Sequence, residues 1–224
     1  MSFPPALPLR LVIFDCDGVL VDSEGPSNRA VAEEVTKLGW PMDEAESMRR
    51  FVGFRLEAMP AVIAAQIGRD VPDGWVETVR QRLIATLASE LELMPGVASV
   101  LEAMSEMGLP LRVASNSSMR EMEAKFGRTG LMHLLDRAHS ADEVRRGKPS
   151  PDVFLRAAEA EGVPAGACVV IEDSVPGTQA AIAAGMACLC LVPHGDGAGQ
   201  IAAGGTMIRS LNEIPALLKQ ALPA

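Results

Sequence analysis

Leu11-Val12-Ile13-Phe14 is an unbroken apolar run, rich in β-branched and aromatic types, that leads directly into Asp15-Cys16-Asp17-Gly18. Such a run reads as a strand buried on both faces, the pattern of a parallel sheet. A buried strand does not normally end on two carboxylates unless a cation meets them there. In an open α/β sheet, ligands bind outside the carboxyl ends of the strands, where Asp15 and Asp17 fall. The plain alternative is a polar strand end followed by a turn, and a bare D-x-D-G does not separate the two.

After Asp22-Ser23-Glu24 the pattern becomes helical. Ala30-Val31, Val35 and Leu38 recur at three- and four-residue steps and stop at Gly39. Asp43 with Glu46 forms a capping box, and 56–67 and 75–87 continue the helical period between Gly68, Pro72 and Gly74. From Pro95-Gly96 onward, strands alternate with helices. Strands are expected at 111–115, 168–171 and 188–192, and helices at 97–107, 119–126, 152–160 and 178–184. His194 to Gly205 reads as a mobile loop, and Ser210 with Glu213 as the capping box of a last helix. The expectation is a Rossmann-like, doubly wound α/β core with a parallel sheet, made of residues 1–21 and 93–224. An all-helical cap, residues 22–92, is inserted after the first strand.

With 224 residues, 48% hydrophobic and 22% charged, the chain suits a globular protein with a substantial core. A net charge of −9 argues against nucleic acid or an anionic membrane as partner. No uninterrupted apolar stretch reaches membrane-spanning length. Met1 to Pro5 lacks the basic start of a signal peptide, so a cytoplasmic protein is expected, as monomer or weak dimer. Cys16, Cys168, Cys188 and Cys190 lie in or beside strand-like runs without zinc spacing, which fits buried reduced thiols. His133, His139 and His194 match no metal-ligand spacing.

Four clusters line up on one edge of the expected sheet: Asp15 with Asp17, Ser115-Asn116, Lys148-Pro149, and Glu172-Asp173. Singly, each has a structural explanation, a helix cap, a solvated lysine or a turn. Together they suit phosphoryl transfer. Crowded carboxylates repel one another, and a hard divalent cation such as magnesium relieves that. A carboxylate can attack phosphorus, and a second acid two residues on can protonate the leaving oxygen. A hydroxyl, an amide and a lysine suit the oxygens of the transferring group.

At this point the chain resembles the haloacid dehalogenase superfamily, specifically its phosphatases with a helical cap inserted after the first motif. The resemblance rests on Asp15-Cys16-Asp17-Gly18-Val19 with Asp22-Ser23-Glu24, on Ala114-Ser115-Asn116, on Gly147-Lys148-Pro149 through Phe154, and on Ile171-Glu172-Asp173-Ser174 with Gly177. It implies Asp15 as nucleophile and Mg2+ ligand, and Asp17 as acid/base that also offers its backbone carbonyl to the metal. It further implies that Ser115 and Lys148 bind the phosphoryl group with Asn116 beside them, and that Asp173 ligates the metal. Glu172 would bind the metal or orient its waters, although many relatives carry Asp there.

Dehalogenases of the superfamily lack an acid at the position of Asp17. The mutases that resemble β-phosphoglucomutase carry a histidine early on the first cap helix, and residues 25–29 contain none. The expected activity is therefore hydrolysis of a small phosphorylated metabolite, with a mutase as the alternative and a non-catalytic binding module as the less favoured reading. Specificity is expected in the cap, through Glu24, Gly53 and Arg55. The stretch from Arg49 to Arg55 resembles the cap of bacterial 6-phosphogluconate phosphatases, which implies a polyol or sugar-acid phosphate.

Overall fold

The computed structural model describes residues 3–51, 54 and 56–222. The first strand, β1 (Leu11–Phe14), is followed by a two-residue strand β2 (Val21–Asp22). Four helices come next: α1 (Glu24–Lys37), α2 (Glu44–Phe51), α3 (Met59–Ile67) and α4 (Trp75–Glu90). Asp43 caps α2, its Oδ1 accepting the Glu46 N–H at 2.7 Å. A short strand β3 (Glu92–Leu93) then pairs antiparallel with β2, Val21 opposite Leu93, so the chain leaves and re-enters the core side by side.

The remainder alternates: α5 (Val97–Glu106), β4 (Leu111–Ser115), α6 (Met119–Thr129), β5 (Ala138–Ser140), α7 (Asp152–Ala160) and β6 (Cys168–Glu172). It finishes with α8 (Val175–Ala183), β7 (Ala187–Leu191), α9 (Ala198–Ala202), β8 (Thr206–Ile208) and α10 (Ile214–Ala221). The expected α/β architecture is present: six parallel strands in the order β5-β4-β1-β6-β7-β8.

Alternation along each strand divides the core between the two sheet faces. Val12, Phe14, Val113, Val169, Ile171 and Leu189 pack with α5, α6 and α10 in one cluster. Leu11, Ile13, Ala114, Val170, Cys188 and Cys190 pack with α7 and α8 in the other. All four cysteines are buried and unpaired. The helices between β2 and β3 hold a third cluster, including Val35, Trp40, Phe51, Ile63, Trp75 and Val79. Leu87 near the end of α4 belongs instead to the first cluster.

Two expectations need correction. The stretch 194–205 contains the five-residue helix α9, and strand β8 follows it. The Ser210–Glu213 capping box closes a short 3-10 turn, Leu211–Glu213, that leads into α10. Among the described residues no helix is long and apolar enough to cross a membrane.

Strand order places the site. From β1 the sheet grows through β4 and β5 on one side, then crosses back to add β6, β7 and β8 on the other. The switch point therefore lies beside β1, where α/β sheets open a crevice. Phe14 is in register with Val113 on one side and Ile171 on the other, so Asp15, Ser115 and Glu172 emerge at neighbouring strand ends.

Candidate active site

Asp15 leaves the end of β1 with its N–H donating to the Ile171 carbonyl at 2.9 Å, which locks it to β6. Lys148, from the segment between β5 and α7, donates from Nζ to Asp15 Oδ1 at 2.5 Å and to Glu172 Oε1 at 2.8 Å. Its ammonium lies 4.7 Å from the centre of the Phe154 ring, which shields it from water and adds a cation–π contact. Burial disfavours the charge on Lys148, but Asp15 and Glu172 overcome this and push its pKa above the ordinary lysine range.

Glu172 is fully buried. Its Oε2 accepts the N–H groups of Asp173 and Ser174 at 2.9 and 2.8 Å and the Ser174 hydroxyl at 2.9 Å. Gly177 makes room for this side chain, since a Cβ there would lie 1.7 Å from Glu172 Oε1. Gly18 does the same for Asp173: its φ is +72°, and a Cβ would lie 2.1 Å from Asp173 Oδ2.

Asp15, Glu172 and Asp173 each direct a carboxylate oxygen into one cluster, with all three ligand atoms within 4.8 Å of one another. Burial pushes the Asp15 carboxyl up to about 7, with the charges of Glu172 and Asp17 adding to the rise and Lys148 opposing it. Asp173 is pushed up to about 9, first by burial, then by the charges of Asp15, Glu172 and Glu24. Lys148 supplies one positive charge against three carboxylates, and Asp173 makes no ion pair among the described residues. This all-oxygen, over-acidic set fits a hard divalent cation.

The remaining expected residues are placed as follows. Ser115, buried at the end of β4, accepts the Ser117 N–H on its Oγ at 3.0 Å. Asn116 grips the backbone of Lys148: Oδ1 accepts the Lys148 N–H at 2.8 Å, and Nδ2 donates to its carbonyl at 3.2 Å. Glu24 is exposed on the first turn of α1 and reaches the cluster only through its charge on Asp173. Gly53 and Arg55 lie outside the described residues. The Asp17 carboxylate is not among the three acids of that cluster.

The sequence reading missed what holds Asp17. Ser23 Oγ donates to its Oδ1 at 2.5 Å, Ser117 Oγ to its Oδ2 at 2.8 Å, and Lys125 Nζ to both oxygens at 2.6 and 2.7 Å. Burial would raise the Asp17 pKa, but Lys125 and the two hydroxyls win and hold it at about 2. A signal was available: Lys125 shares the buried face of α6 with Met122 and Phe126, where a charge needs a partner.

A six-stranded parallel sheet with acids and a lysine gathered at its switch point defines the class, a Rossmann-like α/β protein with its site at the carboxyl ends of the strands. The particular family follows from comparison. A model described as haloacid dehalogenase-like hydrolase matches residues 9–185, and the chain belongs to that family. It is 33% identical over 190 residues to the 6-phosphogluconate phosphatase of Escherichia coli K12, covering 83% of this chain and 85% of that one. It is 30% identical over 217 residues to the phosphorylated carbohydrates phosphatase of Thermotoga maritima, covering 96% of this chain and 100% of that one. A Deinococcus radiodurans hydrolase of the family, solved with bound phosphate and sodium, superposes with a TM-score of 0.80 at 31% identity, covering 96% of each chain.

Proposed function

We propose that this enzyme, a phosphoric monoester hydrolase, uses Mg2+ and an aspartyl-phosphate intermediate to hydrolyse a small sugar or sugar-acid phosphate such as 6-phosphogluconate. The observation that carries the reading is the Lys148 ammonium shared by Asp15 and Glu172, with Asp173 beside them. Asp15, Asp173 and the Asp17 carbonyl would hold the metal, with Glu172 as a further ligand or an anchor for its waters. When bound, the metal offsets the charge of the carboxylates and of the incoming phosphate.

Asp15 attacks phosphorus through a carboxylate oxygen, and the bond from phosphorus to the sugar oxygen breaks. Asp17 is ionised in the free protein; it takes up a proton from solvent as the substrate binds and gives that proton to the departing oxygen. It then takes a proton from the water that attacks the phosphoryl group, which releases phosphate and frees Asp15. Lys148 and Ser115 hold the phosphoryl oxygens, and Asn116 keeps the Lys148 backbone in place. Residues 22–92 would serve as a lid hinged at the paired strands β2 and β3, with Glu24, Gly53 and Arg55 as its expected contributors to the choice of sugar.

The substrate class draws support from the relatives already described and from the hexitol phosphatase B of Escherichia coli O157:H7, 30% identical over 207 residues. Assay of purified protein with Mg2+ against a panel of phosphorylated metabolites tests it. Preference for a sugar or sugar-acid monophosphate is expected, and preference for nucleotides would contradict it. Asp15→Asn is expected to abolish hydrolysis of an aryl phosphate, and retained hydrolysis would refute the covalent route.

The second reading is a sugar-phosphate mutase. A structure named as a candidate β-phosphoglucomutase of Thermotoga maritima superposes with a TM-score of 0.81 at 28% identity. Incubation with a sugar 1-phosphate and catalytic bisphosphate is expected to give free phosphate. An isomerised sugar phosphate would favour the mutase.

A further inference from the structure

Asp17 has a lysine of its own, brought in from the sheet face opposite the one that supplies the lysine of Asp15. Lys125 lies on α6 beside Phe126, in the cluster formed with Phe14 and Ile171. Lys148 lies against Phe154, which belongs to the cluster on the other face. The two acids are only two residues apart, yet each is bound by a different buried cation. Lys125 is 3% exposed, and its three donors are spent on Asp17 Oδ1, Asp17 Oδ2 and Ser117 Oγ, the last at 2.7 Å.

With Ser23 and Ser117 included, each oxygen of Asp17 accepts two hydrogen bonds from groups outside the three-acid cluster. A carboxylate gripped on both oxygens cannot turn freely about its side-chain bonds. Its plane, and the oxygen nearest a departing group, are set by the groups that grip it. A lysine is seldom buried without a partner, and a surface lysine at this position would leave Asp17 to the two hydroxyls alone. Ser23 lies at the lid hinge, whereas Ser117 and Lys125 belong to the start and middle of the α6 segment, so Lys125 is the charged part of the grip.

We propose that Lys125 is a positioning residue for Asp17, fixing its carboxylate so that the oxygen that takes up the proton, giving up one of these hydrogen bonds, faces the departing oxygen of the substrate. The proposal rests on the reading of Asp17 as the general acid. Lys125 makes no contact with the three-acid cluster, so it acts on the reaction through Asp17 and leaves phosphate binding to other groups.

Leaving-group dependence tests this, because a good leaving group departs without a proton and a poor one does not. Values of kcat/KM report the chemistry up to release of the leaving group. They are to be measured for an alkyl ester, glycerol phosphate, and for p-nitrophenyl phosphate. Lys125→Met is expected to lose about tenfold more on the alkyl ester than on the aryl ester, within the about 10²–10⁴-fold that general acid catalysis supplies. Lys125→Arg is expected to recover part of the alkyl activity. Inhibition by inorganic phosphate is expected to stay within about twofold, since Lys125 touches no phosphoryl group.

Equal losses on both esters, or no loss on either, would overturn the proposal. Should Lys125→Met fail to fold, Ser117→Ala removes one arm of the same grip, with the same contrast expected and the same result excluding it. Asp17→Asn, measured in parallel, separates the two levels. If that variant shows no leaving-group contrast, the acid assignment itself fails and Lys125 falls with it. If Asp17→Asn shows the contrast and the Lys125 and Ser117 variants do not, only the positioning role fails.

Discussion

Glu172 divides its two carboxylate oxygens between different partners: Oε1 meets Lys148, and Oε2 ties down the turn that presents Asp173. Because both oxygens are held, the side chain cannot retreat from an added methyl group. On helix propensity alone, Gly177→Ala in α8 would gain about 1 kcal/mol. The clash with the held carboxylate outweighs that gain, so the variant is expected to lose activity by about tenfold or more and to melt lower. Steady-state kinetics and thermal denaturation check it; unchanged kcat and a raised Tm would show that Glu172 is free to move. At this scale the acids at strand ends were legible because charge after a buried run needs a cation. The grip on Asp17 was not, because Ser23, Ser117 and Lys125 come together only in three dimensions.

Helix α8 begins on a hydroxyl with two partners. Ser174 Oγ accepts the Gly177 N–H at 3.0 Å and donates to Glu172 at 2.9 Å, so the helix cap and the acid cluster share one side chain. Ser174→Ala is expected to cost about 1–2 kcal/mol of stability, the usual value of a lost N-cap. Urea titration measures that loss, with a fall in kcat alongside; loss of stability without any kinetic effect would separate the cap from the site. Long periodic elements were readable from the chain, including helices α1 to α4 and strands β1, β4, β6 and β7. Strands β2, β3, β5 and β8 have two or three residues each. Such short segments show no period, and their partners in the sheet create them. The helix α9 was hidden in the same way, behind a glycine- and alanine-rich composition. Its Gln200 donates to the Asp173 carbonyl at 2.7 Å, so this stretch braces the acid cluster.

Across the whole molecule, the acid cluster links stability to pH and metal. Folding raises Asp15 to about 7 and Asp173 to about 9, well above the ordinary carboxylate range. The folded state therefore binds more protons than the unfolded one, and their contribution is lost as pH rises through those values. In chelator the Tm is expected to fall between about pH 5 and about pH 9, and Asp173→Asn is expected to flatten that fall. The proposed Mg2+ would bind the ionised carboxylates, so its stabilisation is expected to be larger at about pH 9 than at about pH 5. A metal effect independent of pH would argue that the cation sits elsewhere. The central claim is covalent transfer to Asp15. Enzyme mixed with excess p-nitrophenyl phosphate and Mg2+, quenched in acid and reduced with borohydride, is to be read by peptide mass spectrometry. The account predicts conversion of Asp15, alone among the acids of the site, to homoserine through its acyl phosphate. An unmodified Asp15 in enzyme quenched during a burst of phenol release, or conversion of a different acid, would contradict it.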